Sequence, residues 1–505
     1  MKIAKSKKMI SGSITLILSL VFCIILSCMP VTAQSNTYYV ASNGNDSNSG
    51  TLDRPWKTIQ KACNTAAAGD TVYVRGGTYS EQVKVNVSGS SSGYITISSY
   101  PEETAVLDGT GLSLSGDTPA AFYVNNKSYL KIVGFEIRNY KVKSNSSVPA
   151  GIYVTGSSNH IEIRNNRIHA IENNASSDGN AHGIAVYGTN GTSSINNIIL
   201  DANEISECKL GWSESMVLNG NVENFQVTNN YVHNNDNIGI DFIGWEGTAS
   251  ANDQVRNGVC SGNTVAYIDS SENPAYDGER SADGIYCDGS TNILIEKNRV
   301  YNCNLGIEIA SEHANKTVSY ITVRNNLIYN NDIAGIAFGG YDNKRGSTEN
   351  CKFLNNTLYN NDTSQDGNGE IYIQYDTKNN TVKNNLIYAN SQNLFISNDY
   401  TQNTGNLIDY NLYYCAAGSS KASWTWKKTS YSGFAKYKTS SGNDANSVFA
   451  DPLFVNASIG NLNIGSSSPA IGAGDPSFTA DSGETDFDGN ARISGGRVDC
   501  GAYEK

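Results

Sequence analysis

Ile321-Thr322-Val323-Arg324-Asn325-Asn326-Leu327-Ile328-Tyr329-Asn330-Asn331 is one copy of a phrase that recurs along a chain of 505 residues. Close copies are IEIRNNRIHA from Ile161, FQVTNNYVHNN from Phe225, ILIEKNRVYNC from Ile293, CKFLNNTLYNN from Cys351 and NTVKNNLIYAN from Asn380. Looser ones are IILDANEISEC from Ile198, GVCSGNTVAYI from Gly258 and NLIDYNLYYC from Asn406. The last residue of the central turn is Asn in every copy, at 166, 203, 230, 263, 298, 326, 356, 385 and 411. The steps between them are 37, 27, 33, 35, 28, 30, 29 and 26 residues.

Repeats of this length are stacked supersecondary units. Each copy reads as a short alternating strand, a turn on Asn, and a second short strand. Asn tolerates left-handed backbone, which Val and Ile do not. Stacked one per coil, identical Asn residues can also bond through their side-chain amides. The strands keep their length while the loops vary, which argues against helical repeats and propeller blades. The expected fold is all-β, a right-handed parallel β-helix, and the Asn phrases are predicted to stack in one ladder.

Met1–Ala33 reads as a signal peptide, with Lys2, Lys5, Lys7 and Lys8 before an apolar run and Val31-Thr32-Ala33 as its cleavage signal. A membrane anchor is the alternative, with Ile25-Leu26-Ser27-Cys28 a weak lipoprotein-like match. Removing Met1–Ala33 takes four Lys and no acid, moving the net charge from −12 to −16. That balance speaks against nucleic acid or an anionic membrane as partner. The eight remaining Cys show no CxxC spacing, which speaks against a zinc site among them, and Cys260, Cys303 and Cys351, within repeat copies, read as buried free thiols. Residues 34–448 are assigned to the solenoid and 449–505 to a C-terminal capping segment, in a secreted, extracellular monomer. A short helix over 53–62, with Asp53 as its cap, is expected to cover the first coil with Trp56, Ile59 and Cys63. The insertion from about 414 to 446 carries Trp424 and Trp426, which pack on the last coils or stack on a sugar.

The opening, from YYVASNGNDSNSGT through GDTVYVRGGTY, resembles the start of secreted right-handed β-helix proteins of the pectate-lyase-like superfamily, among them the family 9 polysaccharide lyases. FADPLFVN from Phe449, SSSPAIGAG from Ser466, DFDGNAR from Asp486 and VDCGAYE from Val498 resemble the closing module of such proteins. The resemblance implies a cap over the last coil.

Strands following the Asn phrases align on a Gly-Ile core: HGIAVYG from His182, ESMVLNG from Glu214, IGIDFIG from Ile238, DGIYCDG from Asp283, LGIEIAS from Leu305, AGIAFGG from Ala334 and EIYIQY from Glu370. Side chains alternate between strand faces. The residue after the inward Ile forms an outward column: Ala185, Val217, Asp241, Tyr286, Glu308, Ala337 and Tyr372. Asp241 and Glu308 interrupt it with charge, two coils or about 10 Å apart. Asp283, Asp288, Trp245-Glu246, Glu312-His313 and Tyr341, with Lys344 and Arg345, collect on the same face. The bland alternative is a solvated acidic face.

Three functions are expected of this face. The first is calcium-dependent β-elimination of an acidic polysaccharide, with Ca²⁺ on Asp241, Asp283, Asp288 and Glu308 and a base at Arg345 or Lys344. The second is a glycoside hydrolase with Asp241 and Glu308 as its acid and base. The third is a non-catalytic glycan-binding solenoid. In the first two, Trp245, Glu246, Tyr286, Glu312, His313 and Tyr341 would hold the sugar chain. The resemblance to the family 9 lyases carries over at Asp283, where the family has a calcium-binding Asp in Ala-Asp-Gly-Phe. It also carries over at Glu308, which ends the counterpart of Asp-Asp-Gly-Phe-Asp. Asn304 and Leu305 stand in place of two of that family's acids, and Ala337 in place of its base Lys.

Overall fold

The computed structural model describes residues 35–175 and 179–505, so the expected signal peptide lies outside the described residues. Three long parallel sheets run the length of the solenoid, and each coil contributes one strand to each of them. One follows a 13-strand path from Thr37–Val40 to Leu407–Asp409; the other two hold 13 strands each. Among the described residues no helix is long and apolar enough to cross a membrane.

The Asn turns divide their work between two residues. The first takes the left-handed conformation, with φ of 53° at Asn165, 56° at Asn325 and 58° at Asn384. The second holds the ladder. From Asn166 through Asn203, Asn230, Asn263, Asn298, Asn326, Asn356 and Asn385 to Asn411, each Nδ2 donates to the next Oδ1 at 2.9–3.1 Å. The same Nδ2 also reaches a carbonyl of the preceding coil, as Asn326 does to Ile295 at 3.0 Å. All nine side chains are buried, which is tolerable because each amide is satisfied on both its donor and acceptor sides. A shorter ladder runs from Asn331 to Asn361 and ends on the Glu370 carboxylate, 2.7 Å from Asn361 Nδ2.

Inside the coils, one apolar column runs from Val40 to Tyr437. All eight described cysteines are buried and free, as expected of Cys260, Cys303 and Cys351. The N-terminal helix is shorter than expected and spans Ile59–Cys63. Thr58 rather than Asp53 caps it, accepting from Lys61 N at 3.1 Å. Glu81 takes the next two free amides, those of Ile59 and Gln60, both at 2.9 Å. Trp56, Ile59 and Cys63 do cover the first coil, with Trp56 stacked on Tyr38 at 4.5 Å.

At the other end the insertion itself forms the lid. Trp424 is 0% exposed and stacks on Phe395 at 4.8 Å and Tyr437 at 4.7 Å, so it is packing, not a sugar platform. The segment 450–505 lies along the flank instead of over the last coil. Its Leu462, Ala502 and Tyr503 pack on Leu327 and Tyr329, and Ile464, Ala470 and Cys500 on Leu386 and Leu412. Glu484 pins it to Arg324 at 2.9 Å.

Asn326→Ala removes donors and acceptors from two neighbouring rungs at once. It should lower stability by about 1–3 kcal/mol, the cost of leaving buried partners unmet, in a thermal melt. The exposed Asn343→Ala should stay within about 0.5 kcal/mol.

Candidate active site

The strand register aligns the outward column as the repeat implies. Ala185 pairs Val217, Val217 pairs Asp241, Asp241 pairs Tyr286, Tyr286 pairs Glu308, Glu308 pairs Ala337 and Ala337 pairs Tyr372. A second column, three residues upstream, brings Asp283 opposite Leu305 and Leu305 opposite Ala334. The column is not solvated. Asp241 is only 2% exposed and Glu308 6%. Loops from the longer repeat steps rise over it. In the loop of residues 269–282, Asn273 anchors by donating to Gly211 O at 2.8 Å and Asp236 O at 3.0 Å. The loop at 244–254 is folded on Asp253, which accepts from Gly247 N at 2.6 Å and Ala249 N at 3.0 Å.

These loops leave a cleft of about 790 Å³ whose lining comes from six successive coils. Its lining holds nine carboxyl side chains, among them Glu214, Asp241, Asp283, Asp288 and Glu308, and no Lys, Arg or His. Trp212, 50% exposed, and Tyr341, 43% exposed, stand at its margin. Tyr276 packs on Trp212 at 4.7 Å.

Burial without a counter-charge raises carboxyl pKa values, and like charges raise them further. Burial and the carboxyls of Glu214, Asp288 and Asp283 push Asp241 well above the usual range. Burial and Glu308 do the same to Asp283. Glu308 is held up at about 7 by burial, while hydrogen bonds from Gln374 and Asp283 moderate the rise. Asp283 and Glu308 stand close enough for each to shift the other's titration. Two buried carboxyls so placed favour holding a proton between them over carrying two charges.

Of the residues expected at the site, Asp241, Asp283, Asp288, Glu308, Glu246, Tyr286, Glu312 and Tyr341 line the cleft. Trp245, His313, Lys344 and Arg345 do not. Trp245 lies under Lys316, whose Nζ is 4.4 Å from the ring centroid. Lys344 is exposed, and with Arg345 it lines a neighbouring depression. The Arg345 guanidinium covers the Tyr341 ring at 4.3 Å and donates to the Glu312 carbonyl at 3.2 Å. Sequence reasoning missed Glu214, Trp212, Tyr276 and Gln374. Glu214 carried a signal, since it opens its strand three residues before the column as Asp283 does. Its carboxylate lies 3.5 Å from the buried His182 Nδ1.

The expected four-carboxylate calcium site is divided. Asp283 and Asp288 stand at opposite ends of one strand, about 16 Å apart along it, too far to share an ion. At the Asp283 end unpartnered carboxylate oxygens remain. Asp241 Oδ1, Asp283 Oδ1 and Glu308 Oε1 are buried and accept no hydrogen bond, and Ca²⁺ takes several such oxygens with flexible geometry.

Comparison with known proteins agrees with this architecture. Residues 38–208 match the family described as "Pel9A-like, right handed beta helix region" and 281–430 the "Right handed beta helix region". The chain is 43% identical over 432 residues to the uncharacterized protein YwoF of Bacillus subtilis (strain 168), covering 86% of this chain and 91% of YwoF. It is 32% identical over 135 residues to pectate lyase PEL9 of Emericella nidulans, which is 25% of this chain and 33% of that one. Among solved structures, pectate lyase Pel9A aligns with a TM-score of 0.47 at 16% identity, over 94% of this chain and 97% of that one. A GH136 lacto-N-biosidase from Eubacterium ramulus aligns with a TM-score of 0.48 at 14% identity, over 80% and 67%. From the family matches and the relationship to YwoF, the chain belongs to the pectate-lyase-like superfamily of right-handed parallel β-helix proteins, in one family with YwoF.

Proposed function

We propose that this protein is a secreted enzyme that cleaves a polysaccharide by hydrolysis, with its active site in the acidic cleft. The observation that carries the reading is the buried Asp283–Glu308 carboxyl pair, in a cleft whose lining offers acids and no base of another kind. A general acid must hold a proton near neutral pH, and a carboxyl does so when buried beside another. Glu308 would donate its proton to the glycosidic oxygen as the bond from that oxygen to the anomeric carbon breaks. Asp241, two coils away past Tyr286, would take a proton from the water whose oxygen bonds to that carbon once it has released its own, which burial and the neighbouring carboxyls otherwise hold. Backbones about 10 Å apart leave the carboxyls within reach of the roughly 6.5–9.5 Å of inverting enzymes. Trp212 and Tyr341 offer flat apolar faces at the cleft margin for the sugar chain.

A second reading is calcium-dependent β-elimination of an acidic glycan. It is supported by the unpartnered oxygens of Asp241, Asp283 and Glu308, and by the matches to the Pel9A-like family and to a pectate lyase. Calcium held there would neutralise a uronate carboxylate. The base would be Arg345, which would have to leave the Tyr341 ring, or the exposed Lys344.

A glycan panel read by reducing ends and by ultraviolet absorbance of unsaturated products separates the two. Hydrolysis predicts reducing ends without absorbance and no requirement for added calcium. Calcium-dependent absorbance would establish elimination instead. Glu308→Gln and Asp241→Asn should each lower the rate of hydrolysis by about 10²–10⁴. A parent-like rate in either variant would remove that residue from the reaction.

The shared proton also predicts a pH dependence of stability. Glu308 titrates higher in the folded protein, at about 7, than in an unfolded chain, at about 4.3. Its stabilising contribution is therefore complete below about pH 4.3 and lost as pH rises through about 7. The parent melting temperature should fall between about pH 5 and about pH 8, and Glu308→Gln should fall less over that range. Equal slopes would mean that Glu308 is ionised throughout.

A further inference from the structure

The edge of the cleft carries a different donor set. Glu246, Asp288 and His313 come from three consecutive coils, and one ligand atom of each lies within 4.8 Å of the others. Glu246 follows the strand Ile240–Ile243, Asp288 ends the strand Asp283–Asp288, and His313 follows the strand Leu305–Ala310. Coil stacking at about 4.8 Å thus sets the ligand spacing.

Two of the three are held by neighbours through one carboxylate oxygen each. Asn219 Nδ2 donates to Glu246 Oε2 at 2.7 Å. The backbone N–H of Glu312 donates to Asp288 Oδ1 at 2.8 Å, and Asp288 is buried. The third is the independent observation. His313 Nε2 is buried and has no hydrogen-bond partner. An imidazole nitrogen left unmet beside two carboxylates is costly unless something bridges them.

We propose that Glu246, Asp288 and His313 bind a divalent transition-metal ion, of the zinc or manganese class, at the edge of the cleft, with His313 just beyond its lining. Metal bonds of about 2.0–2.2 Å to nitrogen and carboxylate oxygen span nearly the separation present. One imidazole with two carboxylates suits zinc or manganese, whereas calcium prefers oxygen alone. The oriented carboxylates match the hydrogen-bonded ligands usual in such sites. The ion would offset part of the negative charge that Asp288 and Glu246 impose on Asp241 and Glu214. The site is separate from the Asp283–Glu308 pair, and it stands whether the cleft hydrolyses or eliminates.

The test is calorimetric titration of Zn²⁺ alone into the full mature chain, prepared without a polyhistidine tag and freed of metal with EDTA. One saturable site is expected, weakened at least about 10-fold by His313→Ala and to a similar degree by Asp288→Asn. Glu308→Gln should leave it unchanged. Zinc should also raise the melting temperature of the parent and not that of His313→Ala, a readout that would expose a variant that had merely misfolded. His313→Gln, which keeps a polar side chain, should likewise lose the zinc-dependent rise. Absence of saturable zinc binding, unchanged affinity in His313→Ala, or calcium binding as tightly at the same residues would overturn the assignment.

Discussion

A primary amide that donates upward and accepts from below is the interaction on which this solenoid depends. Asn is the residue suited to it at a coil spacing of about 4.8 Å, because its short side chain carries both a donor and an acceptor. A row of Asp would be acceptors only, and buried charge besides. Asn166 begins the row by accepting from Phe135 N at 3.0 Å, before the first copy of the phrase. Asn411 ends it on Asp444 at 3.3 Å and on the Ser447 hydroxyl, which accepts from Asn411 N at 2.8 Å. Both partners of Asn411 belong to the terminal lid, so the ladder runs directly into the cap.

Fixed spacing has a chemical consequence. Once every coil holds register, a residue at one strand position stands above the same position in the next coil. Asp241, Tyr286 and Glu308 become neighbours because they share a place in the repeat, not because they attract one another. A single flexible loop could relax by moving such carboxyls apart, but a ladder-locked sheet cannot. The coils therefore impose proximity, the covering loops impose desolvation, and protons or cations must restore the balance. Strain of this kind is affordable in mid-solenoid, where coils on both sides hold the backbone in place.

The ladder and the column could be read from the chain because both follow from where Asn and Gly-Ile recur. The depth of the carboxyls could not. The loops at 244–254 and 269–282 that bury them belong to the part of the repeat that varies, where no pattern marks the direction a loop takes. For the same reason Glu308 reads as outward from the repeat, with nothing to mark that it is also covered. The division of Asp283 from Asp288 follows from strand length alone and was available, as was the place of Glu214 at its strand start. Arg345 and Lys344 were placed by nearness in sequence to Tyr341. The structure turns the guanidinium onto the ring of Tyr341 and away from the cleft lining. The segment 449–505 was assigned to the coil end because its phrases resemble a closing module, whereas residues 450–505 lie along the flank. Its apolar residues instead match the outward Leu and Tyr positions of the third sheet.

The central claim is that the Asp283–Glu308 pair holds a proton in the neutral range. The most direct measurement is the infrared difference spectrum between the parent and Glu308→Gln, taken across about pH 5 to about pH 9. The difference should hold a protonated-carboxyl band of the parent at the acid end, and lose it as the pH passes through about 7. A parent spectrum showing only ionised carboxylate at this position across the whole range would contradict the account.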